Sequence, residues 1–109
     1  MSEAVKLPPE ALEIIARKFE ALSDHVRLGI LQELKEGEKS GKELIDILGV
    51  SQSTVSKHLK KLFEVKIVGK RQEGNLVYYY VSDESIEEIC ELVCSNIKND
   101  LLKLTQSFD

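Results

Sequence analysis

The feature that most constrains this chain is the run VSQSTVSKHLKKL at residues 50–62, which has the pattern of a helix with one buried face. Val55, Leu59 and Leu62 recur at intervals of four and three residues, so they lie on one side of a helix and must be covered by other parts of the fold. Ser51 is a suitable N-cap because its hydroxyl can accept a hydrogen bond from an amide of the first turn. The run therefore predicts an amphipathic helix that begins after Ser51.

The polar side of this helix favours contact with a nucleic acid. It carries short hydrogen-bonding side chains near the N-terminus and lysines after them. Gln can bond the edge of adenine, Ser and Thr suit bases or phosphates, and Lys neutralises phosphates. Periodicity alone favours an ordinary helix whose polar face only contacts water, so the interpretation depends on the flanking segments. The residues of this helix that we expect to contact DNA are Ser51, Gln52, Ser53, Thr54, Ser56, Lys57, His58, Lys60 and Lys61.

The segment before this run has the pattern of a shorter helix. Ser40 and Glu43 are spaced as in a capping box, in which each side chain bonds the backbone amide of the other residue. Gly49 is a suitable residue to end that helix. A short helix, a tight turn and a second helix form the helix-turn-helix unit, whose second helix enters the major groove of DNA.

The segment after the run predicts a β-hairpin. Residues 65–70 and 76–81 are rich in Val, Ile and Tyr, and Gly74-Asn75 between them is a hairpin signal. A hairpin directly after a recognition helix is the wing of winged-helix domains. For the three consecutive tyrosines at residues 78–80, strand packing is favoured over base stacking because alternate strand residues face the core. The cations of this hairpin are Lys66, Lys70 and Arg71, and we expect Lys70, Arg71 and Asn75 to contact DNA.

Positive charge is concentrated on the elements proposed to touch DNA. The whole chain carries a formal charge of −4. Residues 51–75 nevertheless contain six Lys or Arg against Glu64 and Glu73, which gives this segment +4. Residues 1–50 and 76–109 carry −3 and −5. Because counterion release responds to local charge, an acidic chain is compatible with a basic DNA-binding surface.

Further helical patterns complete one domain. Two helices are predicted before the helix-turn-helix, and Ser23 or Asp24 can cap the second of them. A long helix follows the hairpin. We therefore expect a single domain at residues 8–104 after a flexible N-terminus at residues 1–7. Its fold class is mainly α with a small β-hairpin, in the winged helix-turn-helix order α-α-α-α-β-β-α.

The first and last helices predict a homodimer. Each is apolar over a face too broad for a core of this size to cover, and pairing with a second copy would bury the surplus. The alternative is that these helices only complete the monomer core. The interface residues that we expect are Leu12, Ile15 and Phe19 on the first helix and Ile86, Cys90, Val93, Ile97 and Leu101 on the last.

Composition and motifs exclude several other classes. Hydrophobic residues at 42% and charged residues at 31% describe a globular protein rather than a disordered one. No apolar run approaches the length of a membrane span and no signal-peptide core is present, so we expect a cytoplasmic protein without a membrane partner. No phosphate-binding Gly-rich loop or nucleophile elbow is present, and the two imidazoles, His25 and His58, lie away from the cysteines. We expect no enzymatic activity.

Three motifs resemble those of the ArsR/SmtB family of bacterial and archaeal repressors. They are ALSDHVRLGIL at residues 21–31, SQSTVSKHLK at residues 51–60 and GKRQEGNLVYY at residues 69–79. They occur in the family's order, and the resemblance extends over roughly residues 12–100. It implies a homodimeric winged helix that represses transcription and leaves DNA when an effector binds.

The resemblance also shows where this chain departs from metal-binding members. Many members bind thiophilic metals through a Cys-Val-Cys motif on the third helix, where this chain has Ser40 and Lys42. A hydroxyl is a poor ligand for such metals and an ammonium repels them. Other members hold zinc between the paired last helices with ligands that include two histidines, and this chain has neither histidine. The matching positions of that second site are Asp83, Ser85, Asn96 and Asn99. We expect no metal at either place and no cofactor.

Cys90 and Cys94 are the two thiols of the chain, and their spacing places them on one face of the last helix. Three interpretations stay open: small apolar groups packed in an interface, a redox or persulfide switch, and, least favoured, a soft-metal or arsenite site completed across subunits. A disulfide between these positions of one helix is geometrically awkward, so we expect an oxidised form to contain an intersubunit bond or a longer sulfur bridge.

Together these features predict a dimeric, sequence-specific regulator of transcription, a repressor, that binds double-stranded DNA at an inverted-repeat operator. Its small effector is unknown from the sequence. Two alternatives stay open. One is a winged-helix protein-interaction module that docks through its acidic last helix. The other is a DNA-binding regulator with no small effector.

Overall fold

The computed structural model describes residues 6–107, so most of the N-terminus predicted to be flexible lies outside the described residues. The chain forms five helices and a three-stranded antiparallel sheet within that range, which confirms the mainly α fold class. The elements in chain order are α1 (Pro9–Ala21), α2 (His25–Lys35), β1 (Lys39–Ser40), α3 (Gly41–Leu48), α4 (Gln52–Glu64), β2 (Val68–Glu73), β3 (Leu76–Val81) and α5 (Glu84–Ser107).

Polar caps define the starts of the helices that build the helix-turn-helix. Asp24 caps α2 by accepting hydrogen bonds from the amides of Val26 and Arg27. The capping box at the start of α3 is complete, with the Ser40 amide donating to Glu43 at 2.9 Å and the Glu43 amide donating to Ser40 at 3.2 Å. Each cap contributes about 1 kcal/mol to helix stability.

The turn between α3 and α4 depends on one glycine. Gly49 ends α3 in the left-handed conformation, with φ 68°, and its amide donates to the Ile45 carbonyl. This conformation costs an L side chain energy and costs glycine none. Ser51 then accepts from the Thr54 amide and starts α4 in a new direction, as the sequence predicts.

The sheet has the strand order β1-β3-β2, which adds a strand that the sequence analysis missed. Lys39 and Ser40 pair with Tyr79 and Tyr78 of β3. Two residues are too few to show the alternation by which a strand is recognised. The hairpin of β2 and β3 is the predicted one, and Glu73 pairs with Leu76 across the Gly74-Asn75 turn.

The first strand of the hairpin begins three residues later than predicted. Helix α4 ends at Glu64 and is followed by a left-handed residue, Lys66, with φ 63°. The Ile67 amide donates to the Leu62 carbonyl and the Lys66 amide donates to the Phe63 carbonyl, both at 3.0 Å. This pair of bonds is the Schellman motif, which usually has glycine where Lys66 stands. Lys66 therefore belongs to the helix end and not to the wing.

The core lies between α2, α3, α4 and the sheet. Ile86, which we expected at the dimer interface, is part of this core and is only 4% exposed, so it has little surface left for a second copy. No helix among residues 6–107 combines the length and apolarity that a membrane span requires. The buried apolar residues are Ala21, Ile30, Leu31, Leu34, Leu44, Val55, Leu59, Leu62, Ile67, Val68 and Ile86.

Asp83 fastens the start of α5 to α1. Its carboxylate accepts hydrogen bonds from the Ile86 amide and from Lys18 of α1. Partial burial alone would raise the pKa of Asp83, but the hydrogen bonds from Lys18, Ser85 and the backbone outweigh it and lower that pKa to about 2. The ionised carboxylate therefore stabilises the packing of both terminal helices.

We expect Asp83→Asn to reduce the free energy of unfolding at pH 7 by about 1–2 kcal/mol, because Asn can still cap α5 but cannot pair with Lys18. Because folding lowers the pKa of Asp83, its ionised carboxylate stabilises the folded protein at pH values above 3.8, the ordinary pKa of aspartate. This contribution is lost as the pH falls toward about 2. The difference between wild type and variant should therefore shrink between about pH 4 and pH 2 in urea titrations at fixed protein concentration. Asp100→Asn, an exposed aspartate of the same helix, is the control. A difference that stays constant over this window would contradict the assignment.

Candidate nucleic-acid interface

Helix α4 separates its two faces as the sequence predicts. Val55, Leu59 and Leu62 are buried in the core. The residues exposed on the other side are Ser51, Gln52, Ser53, Ser56, Lys57 and Lys60, while Thr54, His58 and Lys61 are partly buried. The exposed set places hydrogen-bonding groups at the N-terminal end of the helix, where recognition helices contact base edges, and cations further along it.

The hydroxyl groups at the start of α4 form a small cluster. Ser51 Oγ lies 2.8 Å from Thr54 Oγ1 and 3.1 Å from Ser53 Oγ. Ser51 and Thr54 therefore have a structural role in capping, and their oxygen atoms are held in fixed positions. Gln52 and Ser56 lie on the exposed face, and no hydrogen bond of this cluster involves them.

The wing carries its cations in two different environments. Lys70 Nζ lies 4.5 Å from the centre of the Phe63 ring, so it stands beside the C-terminal end of α4. Arg71 packs over Tyr78, with 4.8 Å from its guanidinium carbon to the ring centre. Asn75, at the tip of the hairpin, is exposed. The wing thus presents one lysine beside the C-terminal end of α4 and one exposed polar residue at its tip.

Arg71 is engaged within the chain. It donates to Glu38 through Nε at 2.8 Å and to Glu73 through Nη1 at 2.7 Å. The hydrogen bond to Glu38, followed by the one to Glu73, raises the pKa of Arg71 above its ordinary value. A phosphate contact by Arg71 would therefore require exchange of one of these carboxylates.

The wing is packed closely at one further position. Gly69 pairs with Tyr80 across the hairpin. A Cβ atom on Gly69 would lie 2.6 Å from the Tyr80 ring, closer than any van der Waals contact allows. Tyr80 covers this glycine, Tyr79 packs against the core and Tyr78 supports Arg71. These contacts are the strand packing that the sequence analysis favoured for the three tyrosines.

A buried guanidinium joins α1, α2 and α4. Arg27 is only 8% exposed. It donates through Nε to the Ala21 carbonyl at 2.6 Å, and its Nη1 lies 3.0 Å from His58 Nδ1. Because a guanidinium can only donate, His58 Nδ1 is the acceptor and the neutral imidazole carries its proton on Nε2. His58 thus links α4 to Arg27 of α2 and, through Arg27, to the end of α1.

His58 is directed inward rather than toward DNA. Its side chain is 12% exposed, and its Nε2 lies 3.7 Å from Asp24 Oδ2. Burial lowers the pKa of His58 below its ordinary value of 6.5, nearby cations add to this effect, and Asp24 opposes it. The expectation that His58 contacts bases has no support in this geometry, which gives His58 a positioning role.

Comparison with known proteins identifies the family. A family model described as bacterial regulatory protein, arsR family, matches residues 24–70. The arsenical resistance operon repressor of Bacillus subtilis is 37% identical over 87 residues, which cover 74% of this chain and 83% of that protein. An uncharacterized helix-turn-helix-type transcriptional regulator of Methanocaldococcus jannaschii is 40% identical over 85 residues, covering 77% of this chain and 96% of that protein.

A solved structure extends the comparison to the fold. The homodimeric winged helix-turn-helix DNA-binding domain of a possible ArsR-family transcriptional regulator from Mycobacterium bovis has a TM-score of 0.79 and 28% sequence identity. It covers 93% of this chain, and this chain covers 94% of it. The chain belongs to the ArsR family. The winged helix-turn-helix predicted from the motifs is thus confirmed, and the family is one of transcriptional regulators.

Two of the positions that the resemblance relates to metal sites have structural roles in this ArsR-family chain. Ser40 caps α3, and Asp83 caps α5 and pairs with Lys18. Within the part of the chain that the structure describes, no three His, Cys, Asp or Glu side chains are grouped so as to hold a metal ion.

The two cysteines differ in their surroundings. Cys90 is partly buried and packs against the core, whereas Cys94, one turn further along α5, is exposed. Burial, followed by the neighbouring Cys94, raises the pKa of the Cys90 thiol. Since the thiolate is the reactive form, Cys94 is the more accessible group for chemistry and Cys90 the less reactive one.

The sequence analysis missed two residues that shape this interface. Arg27 stands in an apolar helical pattern, and the signal for its role is that a charged residue falls on the buried side of α2. Glu20 of α1 accepts from Lys61 of α4 at 2.5 Å. That hydrogen bond lowers the pKa of Glu20. Lys61, predicted to contact phosphate, is thus partly neutralised by α1.

We expect the stability of the wild-type protein to fall as pH drops below about 6.5, because the unfolded chain then binds a proton that folded His58 resists. His58→Gln keeps an acceptor for Arg27 but cannot titrate, so its unfolding free energy should change less between pH 7 and pH 5. Urea titrations at several pH values measure this difference. The exposed His25 gives the control, His25→Gln, which should keep the wild-type slope. Equal slopes for wild type and His58→Gln would overturn the assignment.

Proposed function

We propose that this ArsR-family chain is a homodimeric, sequence-specific repressor that binds an inverted-repeat operator in double-stranded DNA. The observation that carries the proposal is the division of α4, whose apolar face is buried while Gln52, Ser53, Ser56, Lys57 and Lys60 are exposed together. The Bacillus subtilis relative is named as an operon repressor, which agrees with this direction of control. We expect the protein to act in the cytoplasm.

Exposed apolar side chains on the terminal helices support the homodimer. Phe19 of α1 is 52% exposed and Val93 of α5 is 57% exposed. Exposed apolar surface on both helices favours an interface, and a second copy of the chain would cover it. The Mycobacterium bovis structure is described as homodimeric, and its similarity covers 93% of this chain. The proposed interface residues are Leu12, Ile15, Phe19, Cys90, Val93, Ile97 and Leu101.

We expect two kinds of contact with DNA. Lysines bind phosphates, which gives salt-dependent affinity with little sequence specificity. Gln52, Ser53 and Ser56 stand at the N-terminal half of α4, where side chains reach base edges in the major groove. In a two-fold dimer both recognition helices face one side of the duplex, about one helical turn apart.

We expect Lys60→Ala to weaken binding to specific and random DNA by similar factors and to reduce the salt slope of log K by about 1 per protomer. Gln52→Ala should lose mainly the specific increment, about 1–3 kcal/mol, and leave binding to random DNA unchanged. Fluorescence anisotropy with the DNA upstream of the protein's own coding sequence, across a salt series, measures both effects.

The exposed Glu88 of α5 provides a control, since Glu88→Gln removes a charge from a helix that is not proposed to contact DNA. If Lys60→Ala and Gln52→Ala both bind like wild type, α4 is not the recognition helix. A wild-type protein that binds no duplex would favour the protein-interaction module instead.

We propose further that thiol oxidation regulates DNA binding through Cys94. Both cysteines are free, and Cys94 is exposed on α5, next in sequence to Val93 of the proposed dimer interface. With hydrogen peroxide as oxidant, the Cys94 thiolate attacks one oxygen and becomes a sulfenic acid while hydroxide leaves. A thiol of the other subunit then attacks that sulfur, and the disulfide forms as water leaves. Such a bond would fix one arrangement of the two α5 helices and change the spacing of the recognition helices.

We expect hydrogen peroxide to lower the affinity of the wild-type protein for its own upstream DNA by about tenfold or more, a coupling free energy above about 1.4 kcal/mol. Cys94→Ser should abolish the response and leave binding of the reduced protein unchanged. Anisotropy before and after oxidation, with recovery on adding dithiothreitol, is the measurement. An unchanged affinity of the oxidised wild type would leave the cysteines as packing groups and favour a regulator without this effector.

A further inference from the structure

An open cleft of about 780 Å³ lies between α1 and α4, next to the proposed DNA-binding face. On the α4 side it is lined by Lys57 and Lys60, which are also exposed on the recognition face. On the α1 side it is lined by Arg17, which the sequence analysis did not connect with DNA. The cleft therefore joins a cation of α1 to the cations of the recognition helix.

The charges in this cleft favour an anion. Its lining includes the cations Arg17, Lys57, Lys60 and Lys61 and the carboxylates Glu20 and Glu64. Glu20 is neutralised by Lys61, with 2.5 Å between the carboxylate oxygen and Nζ. Among residues 6–107, the ion pairs of the structure involve none of Arg17, Lys57 and Lys60. Three cations thus face the same open space without a carboxylate bound to them.

Helix α1 presents this cation on a different side from its apolar surface. Leu12, Ile15 and Phe19 follow one stripe of the helix, whereas Arg17 and Glu20 follow another that faces α4. In the proposed dimer the apolar stripe packs at the two-fold axis, so α1 lies between that axis and α4. Arg17 is then placed toward the middle of the operator, between the two recognition helices.

We propose that Arg17, with Lys57 and Lys60, binds the phosphate backbone of the operator spacer between the two half-sites. This inference rests on the proposed function and extends the DNA-binding surface from the helix-turn-helix to α1. A guanidinium can hold a phosphate through two parallel hydrogen bonds, which fixes orientation as well as supplying charge. The spacer contact would carry no base information and would set the register of the dimer on the duplex.

The test compares Arg17→Gln with the wild-type dimer on one upstream duplex, by anisotropy over a salt series. Loss of one phosphate contact per protomer should reduce the slope of log K against log salt by about 1.8 per dimer and weaken binding several-fold at physiological salt. Gln keeps helix propensity close to that of Arg, so folding should be unaffected. Arg17→Lys keeps a positive charge and should therefore keep most of the wild-type slope. Lys98→Gln, on an exposed part of α5, should leave the slope unchanged.

A second duplex locates the contact. Its central spacer phosphates are replaced by neutral methylphosphonates, and the half-sites are left intact. Wild type should lose several-fold in affinity on this duplex, and Arg17→Gln should lose little more than it has already lost. If Arg17→Gln keeps the wild-type slope, or loses as much as wild type on the modified duplex, the spacer contact is overturned while the repressor stands. A wild-type protein that binds neither duplex would overturn the proposed function itself.

Discussion

The arrangement of this protein depends on one buried charge, the guanidinium of Arg27. It is 8% exposed and bonds the Ala21 carbonyl at the end of α1 and the imidazole of His58 on α4. A buried guanidinium is tolerated only when its N–H groups are hydrogen-bonded. Removing one partner of a buried charge reduces the free energy of unfolding by roughly 3–5 kcal/mol. The position of the recognition helix relative to α1 is therefore set by hydrogen bonds as well as by apolar packing.

The hydrogen bonds that join α1 to α4 bear on regulation. Helix α1 contributes the proposed dimer surface, and the same helix is tied to α4 through Arg27 and through the pair of Glu20 and Lys61. In the proposed dimer, a change in how the terminal helices pack would be transmitted to the recognition helices without unfolding the core. A coupling of a few kcal/mol between interface and DNA is within the range of known allosteric proteins. Ser40 and Asp83, at two of the positions that bind metal in other family members, cap helices in this chain.

The parts of the fold that follow local rules were predictable from the sequence. The capping box of Ser40, the left-handed Gly49 and the apolar spacing of Val55 to Leu62 specify the helix-turn-helix within one stretch of chain. The end of α4 was not predictable, because Lys66 occupies a position where glycine is the usual signal. Long-range contacts were also missed. The inward direction of His58 and the place of Ile86 in the core depend on elements distant in sequence. The residue pattern within one helix contains no information about those elements.

The central claim is that two copies of α4 read two half-sites on one face of a duplex. Selection of bound sequences from a pool of random duplexes, followed by sequencing, tests it most directly because it assumes no operator. The account predicts an inverted repeat whose half-site centres are about 10–10.5 base pairs apart or a multiple of that spacing. Enrichment of a single half-site or a direct repeat, or no enrichment from a protein that is folded and dimeric, would contradict it.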